Sequence, residues 1–118
     1  FKKIKSVGKN LKESNNLISL AEKLEDAGSK LIVLECIKTN TAKKITNKLT
    51  IPTIGIGASK YCDGQVLVID DIINLDSSMK KPKFIKTYTN IERNIINAVK
   101  NFTKEVKNKK FPLKKHSY

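Results

Sequence analysis

Residues 31–40 read LIVLECIKTN, and this stretch decides the fold. Leu31, Ile32, Val33 and Leu34 form an unbroken aliphatic run. Near-continuous apolarity over residues 30–36 predicts a parallel strand covered on both faces, not a half-exposed one with alternating character. Glu35 breaks the run, and Cys36 and Ile37 follow it. At the carboxyl end of a parallel strand, side chains face the mouth where α/β proteins bind ligands. A carboxylate set among apolar walls there is costly to ionise. Its pKa is expected to rise toward neutrality, as a general base requires. The plainer alternative is a glutamate that has left the core and is solvated or paired with a lysine.

Upstream of this strand, Leu17, Leu20, Ala21, Leu24 and Ala27 recur at helical spacing. Ser14 is the expected N-cap, and Gly28 the left-handed stop. Residues 1–13, polar and basic around Gly8, read as a loop or arm. Downstream, Thr39 or Asn40 can cap a second helix whose apolar stripe is Ala42, Ile45 and Leu49. Pro52 biases Ile51 away from helix. Residues 53–57, TIGIG, form a second short strand, and a loop runs through Tyr61 and Cys62 to Gly64. Residues 65–69, QVLVI, are expected as a third strand, with a helix start as the alternative.

Residues 76–83 make a turn-rich connection containing lysines. Thr89-x-x-Glu92 has the form of a capping box opening a long last helix. Ile91, Ile95, Val99, Phe102 and Val106 share one face of it, with Ile96 alongside. Residues 107–118 form a basic tail with five lysines. The order helix, strand, helix, strand is that of βα units around a parallel sheet. The strands are too few for a closed (β/α)8 barrel, which takes about eight strands and ~250 residues. The sheet is therefore either small and open or part of something larger. A first residue Phe1 in place of Met hints at a processed or partial chain.

The 118 residues carry 24 Lys+Arg against 11 Asp+Glu, a formal charge of +13. That balance is compatible with nucleic acid or an anionic membrane surface as partner. Against it, the lysines are scattered, Arg93 is the only arginine, and aromatic side chains for base stacking are few. Compositional bias toward Lys, Asn and Ile accounts for the charge more simply, so nucleic acid is not the expected partner. No run approaches the ~18 apolar residues of a membrane span, and no apolar leader is visible. With two cysteines lacking metal-type spacing, a reduced, cytoplasmic pair is the default, and one disulfide stays open.

Other candidate motifs are weaker. Gly55-Ile56-Gly57 has Lys60 where a G-x-G-x-x-G phosphate loop needs its third glycine. Glycine there suits close approach of a ligand at the barrel mouth, or simply close packing. Cys36 has no histidine near it in sequence. His116 is the only one, so a Cys–His nucleophile is disfavoured. Asp63, Asp70, Asp71 and Asp76 fit no calcium loop.

Taken together, the pieces IVLEC (32–36), IPTIGIGA (51–58) and CDGQVLV (62–68), with Pro82-Lys83-Phe84 and the ending Phe111-Pro112…His116-Ser117-Tyr118, closely resemble the ketopantoate hydroxymethyltransferase family. The resemblance runs from about residue 17 to 118 and is looser before residue 14. It implies the C-terminal part of a (β/α)8 TIM barrel with a long C-terminal helix, working in pantothenate and coenzyme A synthesis. It implies transfer of a hydroxymethyl unit from 5,10-methylenetetrahydrofolate to 3-methyl-2-oxobutanoate, a 2-oxo acid, and a homo-oligomer when complete. It implies Glu35 as the general base and a Mg2+ ion on the keto acid, with metal ligands in an N-terminal half outside this sequence. Three positions depart from the family pattern. Ser59 replaces a usual glycine, Asp70-Asp71 a His-Asp pair, and Leu113-Lys114-Lys115 a Gly-x-Glu.

Overall fold

A computed structural model describes residues 5–78 and 80–118. Residues 1–4 of the expected N-terminal arm and Met79 of the expected turn-rich connection lie outside the described residues. The chain divides into two compact units. One runs to Leu67 and takes in Lys81–Ile85; the other comprises Val68–Lys80 and Lys86–Tyr118.

The first unit is an α/β layer. Helix α1 (Leu11–Asp26) precedes strand β1 (Ile32–Glu35), followed by α2 (Thr39–Lys48), β2 (Thr53–Ile56) and β3 (Gly64–Gln65). The strands form a parallel three-stranded sheet in the order β1-β2-β3. A lone parallel bridge joins Val7 to Ile37.

Helix α1 starts earlier than expected. Asn10, not Ser14, is the cap: its side-chain oxygen accepts the Glu13 N–H at 2.8 Å. Glu13 reaches back to accept the Lys9 N–H at 3.0 Å, so the cap is closed on both sides upstream of the expected one. Ser14 is instead buried, its Oγ 3.0 Å from the Thr41 hydroxyl of α2. The end of α1 follows expectation. Gly28 is left-handed at φ 98°, with its N–H on the Glu25 carbonyl and the Ser29 N–H on the Leu24 carbonyl. That pair of bonds is the Schellman ending.

Helix α2 likewise lacks the expected Thr39 or Asn40 cap. Its N-cap is Lys38, without a side-chain bond. Lys38 is held by its backbone: its N–H donates to Val7 and its carbonyl accepts from Ala42, both at 2.9 Å.

Ala21, Ile32, Leu34, Ile37, Ala42, Ile45, Leu49 and Cys62 form one core beneath α1 and α2. The expectation of a strand covered on both faces is corrected here. Only alternate residues of β1 are buried, and Val33 remains 54% exposed. An unbroken aliphatic run specifies that both faces are apolar, but not that the chain supplies a cover for both.

The expected third strand over residues 65–69 is also shorter than its β-branched sequence suggests. Pairing stops at Gln65, and a short helix α3 (Ile69–Ile73) follows. Asp70 and Asp71 sit in its first turn, where acids favour the positive helix end.

The second unit contains α3 and α4 (Ile91–Lys107), the long last helix. Its cap is Asn90, accepting the Arg93 N–H at 3.0 Å, instead of Thr89. Glu92 accepts the Ser77 N–H at 2.9 Å in place of closing a capping box. The basic tail is not wholly extended into solvent. Phe111 packs edge-on to Phe102 with ring centroids 5.4 Å apart, and residues 114–116 form a 3-10 turn.

Candidate active site

The β1 strand delivers Glu35 to the carboxyl end of the sheet. Its register partner on β2 is Ile56, just as Val33 pairs with Ile54. In β1, Ile32 and Leu34 are buried while Val33 and Glu35 are exposed. In β2, Thr53 and Gly55 are buried while Ile54 and Ile56 are half-buried. One face of the sheet therefore packs on the helices, and the other presents Glu35 and its aliphatic neighbours. The described residues do not enclose Glu35: the apolar neighbours expected from the sequence stand beside it, but the carboxylate is exposed. It makes no hydrogen bond or ion pair among the described residues.

The chain turns sharply just after this acid. Cys36 is left-handed at φ 52°, a conformation that costs a non-glycine residue about 1 kcal/mol or more. Hydrogen bonds on both sides hold it there. The Cys36 N–H donates to the Ile56 carbonyl at 2.9 Å, and its carbonyl accepts from Val7 at 3.0 Å. The turn lets Glu35 stay on the open face while Ile37 enters the core. Burial pushes the Cys36 thiol pKa up, and the Glu35 charge raises it further. The thiol thus stays protonated and is a poor nucleophile. Cys36 and Cys62 are both buried and free.

The two candidate glycines occupy different places. Gly55 lies on the helix-covered face, where a Cβ would come within 2.9 Å of the Gln65 side-chain oxygen and 3.1 Å of Cys62 Sγ. Gly57 follows β2 at the carboxyl end with φ 62°, and a Cβ there would meet Phe84 Cδ1 at 2.6 Å. Gly57 is therefore the candidate nearer the carboxyl end of the sheet, and Phe84 closes over its backbone. Ser59, a departure from the family pattern, is buried, and its carbonyl accepts from Gln65 Nε2 at 2.7 Å.

Sequence reasoning missed a polar network at the opposite end of the sheet. Thr53, fully buried at the start of β2, donates its N–H to Asp63 Oδ2 at 2.8 Å and its hydroxyl to the same oxygen at 3.0 Å. Thr46 Oγ1 lies 2.8 Å from the Thr53 hydroxyl. The Thr53 N–H, then its hydroxyl, holds the Asp63 carboxyl below its ordinary pKa. Glu25 at the end of α1 is held low in the same way, first by the Thr50 hydroxyl and then by the Thr50 and Ile51 N–H groups. Nothing in the spacing of these residues announces the bonds, because each joins separate elements.

Among the described residues, no group of three or more His, Cys, Asp or Glu side chains could hold a metal ion. No helix among them is long and apolar enough to cross a membrane.

The sequence pattern of the ketopantoate hydroxymethyltransferase family matches residues 1–114. A protein named 3-methyl-2-oxobutanoate hydroxymethyltransferase from Pelagibacter ubique (strain HTCC1062) is 50% identical over 111 residues, 94% of this chain and 42% of its own length. One of the same name from Clostridium botulinum (strain 657 / Type Ba4) is 48% identical over 118 residues, 100% of this chain and again 42% of its own length. A third, from Thermosipho melanesiensis (strain DSM 12029 / CIP 104789 / BI429), is 47% identical over 111 residues. The chain thus spans about two fifths, 42%, of the length of these curated relatives. With the family pattern matched over 1–114 and these relatives covering nearly all of it, the chain belongs to the ketopantoate hydroxymethyltransferase family.

Proposed function

We propose that this chain is the base-bearing portion of a (β/α)8 barrel that converts 3-methyl-2-oxobutanoate to ketopantoate. Glu35 is its general base. The observation that carries this reading is a carboxylate at the carboxyl end of a parallel strand, exposed on the open sheet face and without a structural partner among the described residues. The hydrogen on C3 of the 2-oxo acid is weakly acidic because the adjacent ketone can take the charge as an enolate. Glu35 removes that proton, and the C3–H electron pair becomes the enolate. Water opens the methylene unit of 5,10-methylenetetrahydrofolate to the formaldehyde level, its C–N bonds break and tetrahydrofolate leaves; C3 attacks that carbon, and its oxygen takes a proton to become the hydroxyl of the new hydroxymethyl group. A positioned base contributes roughly 10²- to 10⁴-fold to the proton removal.

The family resemblance implies Mg2+, whose charge would favour the enolate. The described residues do not fit such a site, since they assemble no cluster of metal-ligating side chains. No step is assigned to a metal on this chain. With the uncovered sheet face, this supports a site completed by further protein. The purified chain alone is expected to be inactive, and robust turnover by it would refute that.

The direct test is deuterium incorporation at C3 from D2O, which needs no folate. It uses an exchange-competent form, with the chain joined to the portion of the Pelagibacter ubique relative that it does not match. Glu35→Gln keeps the shape but cannot take the proton. Exchange should fall roughly 10²-fold or more while the keto acid still binds. Unchanged exchange in a folded, ligand-binding variant would leave Glu35 without a catalytic role.

A further inference from the structure

Buried and exposed residues alternate along β1 as far as Glu35, and there the alternation breaks. Cys36 and Ile37 are both buried, each 8% exposed. Had the strand run on, Ile37 would stand on the open face two residues past Glu35, about 7 Å along it. An isoleucine there would crowd the carboxylate where a C–H acid has to reach it. The left-handed backbone of Cys36 instead turns Ile37 into the core.

That conformation has no helix end to account for it. Asn74 and Lys109 are the other non-glycine residues with positive φ among the described residues, and both follow the last turn of a helix. A left-handed residue is ordinary there. Cys36 ends a strand, directly after the candidate base. Strained backbone of this kind persists only where surrounding bonds over-determine it, and it clusters at functional sites.

The bonds that hold Cys36 come from two sides. From β2, the Ile56 carbonyl accepts the Cys36 N–H at 2.9 Å. On the other side lies a strap of two residues, Val7 and Gly8. Val7 donates its N–H to the Cys36 carbonyl at 3.0 Å and accepts the Lys38 N–H at 2.9 Å. The Val7 side chain is 44% exposed, so backbone bonds and not apolar burial keep it in place. Gly8 anchors the strap to α2. It is buried and left-handed at φ 74°, and its carbonyl accepts the Thr41 hydroxyl at 3.0 Å. A Cβ on Gly8 would lie 3.0 Å from the Thr41 side chain, so the fit is close.

We propose that the Val7–Gly8 strap acts through Cys36 to position the base: the clamped left-handed turn fixes Glu35 on the open face and clears Ile37 from beside it. Cys36 is then a positioning residue, through its backbone and not its thiol. This rests on the reading of Glu35 as the base.

The test follows C3 deuterium exchange of 3-methyl-2-oxobutanoate in the exchange-competent form, with kcat and KM separated. Cys36→Gly takes up the left-handed backbone freely and should keep kcat within about threefold of the parent. Cys36→Val puts a β-branched residue there and should lower kcat roughly 10²-fold with KM kept, the scale of a group misplaced by about 1 Å. Thr41→Val keeps its shape but releases the Gly8 carbonyl, and should lower kcat roughly 3- to 10-fold. Equal losses in the Gly and Val variants would assign the effect to the thiol, and parent kcat in folded Cys36→Val would make the turn dispensable. Either result overturns the proposal. Glu35→Gln, run in parallel, separates the two readings. Parent-rate exchange in that variant sinks the base itself, whereas its collapse beside parent kcat in Cys36→Val sinks only the positioning. A second readout needs no turnover and uses this chain alone: amide hydrogen exchange at Val7 and Lys38, whose N–H groups close the clamp. Protection there should fall in Cys36→Val and Thr41→Val and stay in Cys36→Gly. Protection unchanged in all three would overturn the proposal.

Discussion

The two ends of the small parallel sheet treat their acids in opposite ways. At the amino end, Asp63 takes two hydrogen bonds from Thr53. Nearby in the same layer, Glu25 takes three from Thr50 and Ile51. Each carboxylate accepts these bonds on one oxygen and ties the β2 entry to another element. At the carboxyl end, Glu35 has an aliphatic register partner and no donor among the described residues. The difference separates acids that hold the fold from an acid left available for chemistry. It also follows the general division of parallel α/β proteins, in which the amino end serves stability and the carboxyl end serves function.

The largest stability effect should come from crowding the carboxyl end. Gly57→Val places a β-branched residue at φ 62° and drives its Cβ into the Phe84 ring. Strain and overpacking together should cost roughly 3 kcal/mol or more, read as a shift in the chemical unfolding midpoint. A change below about 1 kcal/mol would mean that Phe84 yields freely and that the loop is not fixed by this contact.

At the amino end, Thr53→Val removes the buried hydroxyl shared by Asp63 and Thr46 while keeping the shape. About 1 to 2 kcal/mol of stability should be lost in a urea melt. No loss would show that the network is dispensable and would weaken the contrast between the two ends.

Acid titration probes the same contrast. The folded pKa values of Asp63 and Glu25 lie below their ordinary values of 3.8 and 4.5. A depressed folded pKa stabilises the native state above the unfolded value, and that contribution disappears as pH falls through the folded one. Stability should therefore hold at neutral pH and decline on acidification from about pH 4.5 downward. In Asp63→Asn and Glu25→Gln this part of the pH dependence should flatten. Curves that superimpose on the parent would remove both acids from the account of acid stability.

The smallest effect belongs to an exposed ion pair. Lys48 Nζ lies 3.2 Å from Glu22 on a solvent-facing edge of α1 and α2. Lys48→Ala should change stability by no more than about 0.5 kcal/mol, measured by urea midpoint at low and high salt. A larger loss would show that charge pairing, and not donor-to-carboxylate bonding, anchors the helix layer.

How far the sequence could be read varied with the range of the interaction. The β1–α2–β2 order and the place of Glu35 are legible because strand apolarity and the Pro52 break are local signals. Gly28 is legible for the same reason, since a helix stop needs only the residues around it. The start of α1 was misplaced because Ser14 is a good cap in isolation, yet Asn10 with Glu13 caps better and Ser14 is recruited by Thr41. Residues 66–69 look like strand from their β-branched side chains. The short pairing with β2 and the acids at the head of α3 decide otherwise. From the sequence Asp63 shows only that it fits no calcium loop, because its partner Thr53 is brought to it by the sheet. The open face was invisible for a simpler reason: an aliphatic run looks the same whether or not anything covers it.

The central claim is that Glu35 is chemical where Asp63 is structural, and a crossed measurement tests it most directly. Glu35→Gln and Asp63→Asn are each scored in the exchange-competent form for C3 deuterium exchange and for thermal unfolding. The account predicts that Glu35→Gln loses roughly 10²-fold or more in exchange with its melting temperature kept. It predicts that Asp63→Asn melts earlier but exchanges normally at temperatures where it is folded. If Glu35→Gln melts early and exchanges at the parent rate while folded, the division between the two ends of the sheet is contradicted.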